Sequence, residues 1–231
     1  MPPSETADDG EMKVFHLDLP ARAEDIAKLE IGAAVYLNGV VYTAREGVYK
    51  RVLDEGMALP VADLGALSNA NFHCSPAAAE DGQGGYKVGA VTATASFRFS
   101  KWMGPWIEKT GACLIIGKGG MPADDYRRVL APHGAVYLTT VGYGTGALLG
   151  RGIQRVREVH WLDELGIAQA MWLFEVKDFG PFIVESDVQG NSLFAQHGEQ
   201  INAGIEQLYA GLKPPALHRY GETANRSDEV M

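Results

Sequence analysis

Residues 35–55 read VYLNGVVYTAREGVYKRVLDE, and the fold class turns on them. Two β-branched and aromatic runs, 35–37 and 40–43, flank Asn38-Gly39, the dipeptide that most favours a two-residue hairpin turn. From about residue 45 to 55 the period changes, and Val48, Val52 and Leu53 recur at helical spacing. A strand pair feeding directly into a helix predicts an α/β chain, with Arg45 at the junction.

Working outward, residues 12–19 (MKVFHLDL) alternate as a strand and 23–29 form a short helix. Strands are expected at 71–75 and 86–93, across an AAAEDGQGG loop. A helix follows over 98–109, then a strand at 113–116, a helix at 123–130 and a strand at 135–141. The turn GYGTG leads into a short helix at 147–151. Strands at 156–161, 170–176 and 182–185 precede a terminal helix over 193–211. Residues 1–11 and 213–231 show no packing period and read as tails. Between them, 12–212 shows no linker or repeat and reads as one domain.

Composition narrows the function. Lys and Arg number 20 against 29 Asp and Glu, a net charge of −9. That balance opposes nonspecific nucleic-acid binding and adhesion to an anionic membrane, so an anionic ligand needs a local cluster of cations. The two cysteines, Cys74 and Cys113, are too few for a disulfide framework or the four thiolates of an iron–sulfur cluster. The opening MPPSETADDGEM has no basic-then-apolar leader pattern, and no apolar run approaches ~20 residues. The expectation is a cytoplasmic protein without a membrane span.

Two short polar runs close apolar segments. TASFRF (94–99) brings Thr94, Ser96 and Arg98 to the start of a helix, where backbone N–H groups favour anions and an Arg fork grips a carboxylate. GKGG (117–120) ends the apolar run GACLII and offers the Lys118 ammonium among glycines that permit close backbone approach. It lacks Walker A spacing. GYGTG (142–146), with Glu158 or Asp163 roughly 20 residues on, is a weak rival for a nucleotide loop, because its spacing is G-x-G-x-G. The six histidines lack close-pair metal spacing. His73-Cys74 is no nucleophile dyad, because adjacent strand residues point to opposite faces.

In collinear order, LEIGAAVYLNGVVYTAREGVYKRV (29–52), HCSP (73–76), TASFRF, GKGG and GIAQAMWLFEVKDFGPFIVESDVQGNSLF (166–194) resemble the β subunit, or C-terminal domain, of the class I fumarase and L(+)-tartrate dehydratase family of iron–sulfur hydro-lyases. The resemblance implies a swivelling β/β/α domain of the fumarase class I β-subunit type. It implies reversible addition or removal of water on a small dicarboxylate of the fumarate, tartrate or mesaconate type. The [4Fe-4S] cluster would sit on a cysteine-bearing α-type partner in a hetero-oligomer, with no metal ligand from this chain. By position, Thr94 would supply the catalytic hydroxyl, and Lys118 would assist catalysis and carboxylate binding. Arg45, Arg98 and Ser96 would bind substrate.

Three departures from the family pattern stand out. Ala95 replaces the second residue of a Thr-Thr pair, Tyr49 replaces a histidine after Arg45, and Thr92-Ala93 replaces Gly-Pro. An altered hydroxy-diacid substrate would tolerate these changes, as would a non-catalytic relative that binds a dicarboxylate or a partner protein.

Overall fold

A computed structural model of the chain describes residues 12–211; the expected tails at 1–11 and 213–231 lie outside the described residues. Among the described residues, those through Phe194 form one compact unit, and those from Ala195 belong to a second. The first unit contains β1 (Val14–Asp18), α1 (Ala23–Ile26), β2 (Ala34–Thr43), α2 (Glu46–Tyr49), α3 (Leu64–Leu67), β3 (Ala70–Phe72), β4 (Cys74–Glu80), β5 (Tyr86–Ala93), α4 (Ser100–Thr110), β6 (Leu114–Gly117), α5 (Ala123–Asp125), β7 (Val136–Thr140), α6 (Gly146–Gly152), β8 (Ile153–His160), α7 (Leu162–Leu165) and β9 (Met171–Ser186). Helix α8 (Leu193–Tyr209) carries the chain into the second unit.

Asn38-Gly39 does not turn. β2 runs straight through it for 10 residues, and its register against β9 shifts on either side of Leu37. Partners distant in sequence take the hydrogen bonds that a local turn would have closed. The Leu19 amide donates to the Asn38 carbonyl at 2.7 Å, and the Asp178 amide donates to Asn38 Oδ1 at 2.9 Å. Gly39 sits at φ 114°, and a Cβ there would lie 2.9 Å from the Leu19 carbonyl. The dipeptide is therefore a bulge within one long strand. The segments expected as separate strands at 170–176 and 182–185 likewise join as β9, 16 residues long, through Asp178 at positive φ and a cis Gly180-Pro181 peptide. The alanines expected in a loop belong to β4, which pairs with β5 as an antiparallel hairpin.

β2, β3, β6 and β7 are mutually parallel neighbours. β9 pairs antiparallel with both β7 and β2, which closes the circuit. β1 and β8 extend the sheet at its two ends. Alternation along the strands then creates two cores. Val41, Phe72, Leu114, Ile116, Val136, Leu138, Trp172 and Phe174 belong to one buried cluster inside the circuit. Tyr42, Ile115, Tyr137, Met171 and Leu173, from the same strands, join Tyr49, Phe99, Trp102 and Trp106 in a second cluster under the helices. Each large buried side chain contributes about 1.5–3 kcal/mol, so both layers hold the sheet in place. Among the described residues, no helix is long and apolar enough to cross a membrane.

Candidate active site

The carboxyl ends of parallel strands are where open α/β sheets place ligands, and here they gather the predicted residues. β2 ends at Thr43, and Arg45 stands two residues on as the N-cap of α2. β3 ends at Phe72, followed by His73. β6 ends at Gly117, followed by Lys118. The β4–β5 hairpin inserted after β3 returns the chain as Thr94-Ala95-Ser96 along this edge.

The two polar runs lie side by side. Ala95 and Lys118 form an isolated parallel bridge. The Thr94 amide donates to the His73 carbonyl at 2.6 Å, the Lys118 amide to the Thr94 carbonyl at 3.2 Å, and the Ser96 amide to the Lys118 carbonyl at 3.4 Å. Thr94 is buried, at 7% exposure, and Lys118 is half-buried. The small cavity beside Lys118, about 20 Å³ and also lined by Thr92, Thr140 and Thr145, has room for about one water and is too small for a four-carbon acid.

Arg45 is half-buried. It donates to Ser75 Oγ and, at 2.7 Å, to the Ala168 carbonyl, while its buried Nε has no partner. Burial first, and then the neighbouring Arg98, push its guanidinium below the ordinary value. Arg98 is exposed and lies over the Phe99 ring at 5.6 Å. Among the described residues neither arginine is ion-paired. The Glu46 carboxylate lies in electrostatic range of both guanidiniums but is itself paired with Lys50 at 2.6 Å, so the two arginines keep donors for a bidentate anion.

Ser96 turns the other way. It is fully buried, and its Oγ meets His73 Nδ1 at 2.7 Å and the Tyr137 hydroxyl at 2.7 Å. His73 Nε2 lies 2.8 Å from the Tyr49 hydroxyl, which accepts from Asn71 Nδ2 at 2.6 Å. Burial, aided by Arg45, lowers the His73 pKa to about 3, so the imidazole is neutral. Asn71 and Tyr137 carried no functional expectation from the sequence, while Tyr49 entered it only as a departure from the family pattern and His73 only as an excluded dyad. For the strand residues the signal was alternation, which put His73 opposite Cys74 and which the two faces obey.

Neither cysteine suits a cluster. Burial pushes the Cys74 thiol far up, and Cys113, raised to about 11 mainly by burial, accepts from Asn69 Nδ2. Among the described residues, no three metal-ligating side chains are grouped to hold an ion. The donor set does not fit a [4Fe-4S] centre. GYGTG has a packing role: a Cβ on Gly146 would overlap the Val91 carbonyl, so α6 packs directly on β5.

The sequence matches the family described as Fumarase C-terminus over residues 1–197. The chain belongs to this family. It is 32% identical to the L(+)-tartrate dehydratase subunit beta of Escherichia coli K12, over 89% of this chain and 95% of that one. It is 31% identical to a Methanocaldococcus jannaschii protein provisionally named L(+)-tartrate dehydratase subunit beta, over 80% of this chain and 93% of that one. It is 34% identical to a Geobacillus stearothermophilus protein provisionally named fumarate hydratase class I, over 87% of this chain but only 37% of that longer protein. The Fumarase C-terminus module thus occurs both as a subunit of about this length and as part of a larger chain.

Proposed function

We propose that this chain is the β-type subunit of a hydro-lyase, supplying the dicarboxylate-binding half of an active site completed by an α-type partner. Membership of the Fumarase C-terminus family and likeness to a tartrate dehydratase beta subunit support the hydro-lyase class. The observation that carries the site is the arginine couple: half-buried Arg45, with an orphaned buried Nε, beside exposed Arg98. The edge holding Thr94 and Lys118 is stitched against the same strand ends.

On this reading the domain is of the swivelling β/β/α type and works in the cytoplasm. The [4Fe-4S] cluster belongs to a cysteine-bearing partner in a hetero-oligomer. The substrate is a small hydroxy-diacid or its unsaturated counterpart. Arg45 and Arg98 hold carboxylates, and the Lys118 ammonium balances charge that develops on the acid. The Thr94 oxygen, in its ionised form, takes the proton from the carbon beside a carboxylate. The hydroxyl on the neighbouring carbon leaves with its bonding pair as a carbon–carbon double bond forms. In the reverse direction hydroxide adds and Thr94 returns the proton. A threonine hydroxyl is a weak base, so nearby cations and exclusion of water must favour its ionised form.

The test is anaerobic co-expression with an α-type subunit, assaying fumarate, mesaconate and tartrate with wild type, Thr94→Ala and Lys118→Ala. Co-purification with activity on at least one acid, lost in both variants, is the expected result. Absence of both co-purification and activity in wild type would overturn the reading.

A further inference from the structure

The buried polar chain behind Thr94 has no part in the mechanism above, yet it touches every segment that carries a predicted site residue. Both ring nitrogens of His73 are engaged, at 2.8 Å by Tyr49 and 2.7 Å by Ser96. Ser96 Oγ is shared with Tyr137, whose hydroxyl lies 3.3 Å from the Lys118 carbonyl. Tyr49 is one helical turn beyond Arg45, its amide donating to the Arg45 carbonyl at 3.0 Å.

The proton order follows from the donors. Asn71 donates to Tyr49, so the Tyr49 proton is available to His73 Nε2; Nδ1–H then donates to Ser96, which also accepts from Tyr137. A Cβ on Gly117 would overlap Ser96 Oγ and lie 2.7 Å from the Tyr137 hydroxyl. The first glycine of GKGG therefore makes room for this junction, beyond any freedom it gives the lysine loop.

We propose that His73, Ser96 and Tyr137 are positioning residues: a buried lock, anchored through Tyr49 on the Arg45 helix, that sets Thr94 and Lys118 in register with the arginines. The lock acts through the backbone ladder 73–94–118–96: its first and last rungs involve His73 and Ser96 directly, and the middle rung, Lys118 to Thr94, is flanked by the Tyr137 hydroxyl at the Lys118 carbonyl. No atom of it contacts substrate. Its importance for rate, as distinct from stability, rests on the hydro-lyase reading; its mechanical action does not.

The experiment has two arms. In the first, amide hydrogen exchange is followed on the full-length chain carrying Ser96→Ala or Tyr137→Phe. The Ser96 and Lys118 amides are expected to exchange ~10-fold faster than in wild type, while β9 amides keep their protection. Unchanged exchange at both amides, or an equal rise everywhere, overturns the lock. In the second arm, the complex with the α-type subunit is assayed. Ser96→Ala is expected to lower kcat by roughly 10–100-fold with KM within about threefold, the scale of a small misplacement of a reacting group. His73→Asn, which keeps a donor near the Nδ1 position, should recover about tenfold over the apolar His73→Leu. Equal kcat in those two variants, or a loss confined to KM, also overturns it. Should His73→Leu not fold, Tyr137→Phe, which removes one oxygen, decides the second arm by the same kcat criterion. Absence of both co-purification and activity in wild type would defeat the hydro-lyase reading alone, and the exchange arm would still judge the lock.

Discussion

The inner and outer faces of the closed strand circuit are made from alternate residues of the same strands, yet they are chemically unlike. Inside, Phe72, Leu114, Val136, Leu138, Trp172 and Phe182 form an apolar core. Outside, under the helices, Asn71, His73 and Tyr137 interleave with them in the same strands or one residue beyond, and bond to Tyr49 and Ser96. Apolar packing is non-directional and fixes how the layers meet; hydrogen bonds are directional and fix where individual atoms sit. The inner face holds the fold, and the outer face aims the site.

The sharpest way to break that division is at its two extremes. Thr94→Ala should reduce hydro-lyase activity of the assembled enzyme by about 10²–10⁴-fold, the scale of a lost acid–base group, with little change in urea midpoint. Phe72→Ala, one residue before His73 and wholly buried, should do the opposite. Its expected cost is about 3–5 kcal/mol of stability by denaturant titration, with kcat per folded molecule retained. Swapped outcomes would erase the distinction between the faces.

Gly117→Ala tests the border between them. Its new methyl has to displace Ser96 or Tyr137, so about 1–3 kcal/mol of stability should be lost. Activity should fall more than that destabilisation explains.

The pH dependence of stability separates the neighbours His73 and Cys74. The imidazole is neutral in the fold, with its pKa lowered from 6.5 to about 3. The unfolded chain therefore binds a proton in that window that the folded chain does not. Stability contributed by this group is full above pH 6.5 and is lost as the pH falls toward 3, at up to ~1.4 kcal/mol per pH unit. Urea titrations at pH 4 to 7 should show a shallower acid slope for His73→Gln than for wild type. Cys74→Ala, on the inner face, should leave that slope unchanged and cost about 1 kcal/mol at every pH.

Much of this architecture was legible in the sequence because it rests on local chemistry. Alternating apolar residues marked the strands, and helical spacing marked the segment after Arg45, which continues from α2 into a π-helical turn over Lys50–Asp54. Polar runs closing apolar ones marked the edge where Thr94 and Lys118 meet. Asn38-Gly39 misled for a physical reason. Its turn preference is a local term, and two distant strands outweighed it by supplying hydrogen bonds to a straight, bulged path. Ser96 is the instructive site residue: its hydroxyl was visible, but its direction was not. That direction depends on His73, 23 residues away, and on Tyr137, 41 residues away.

By itself, then, the sequence determined the α/β class, the acidic background that makes a local cation cluster meaningful, and the shortage of thiolates for a cluster. Each of these depends on residue type and short-range period alone. Tertiary structure decided the closure of the strand circuit, the juxtaposition of Arg45 with Arg98, and the buried lock behind Thr94. These are contacts between residues far apart in the chain, whose partners are chosen only when the layers close.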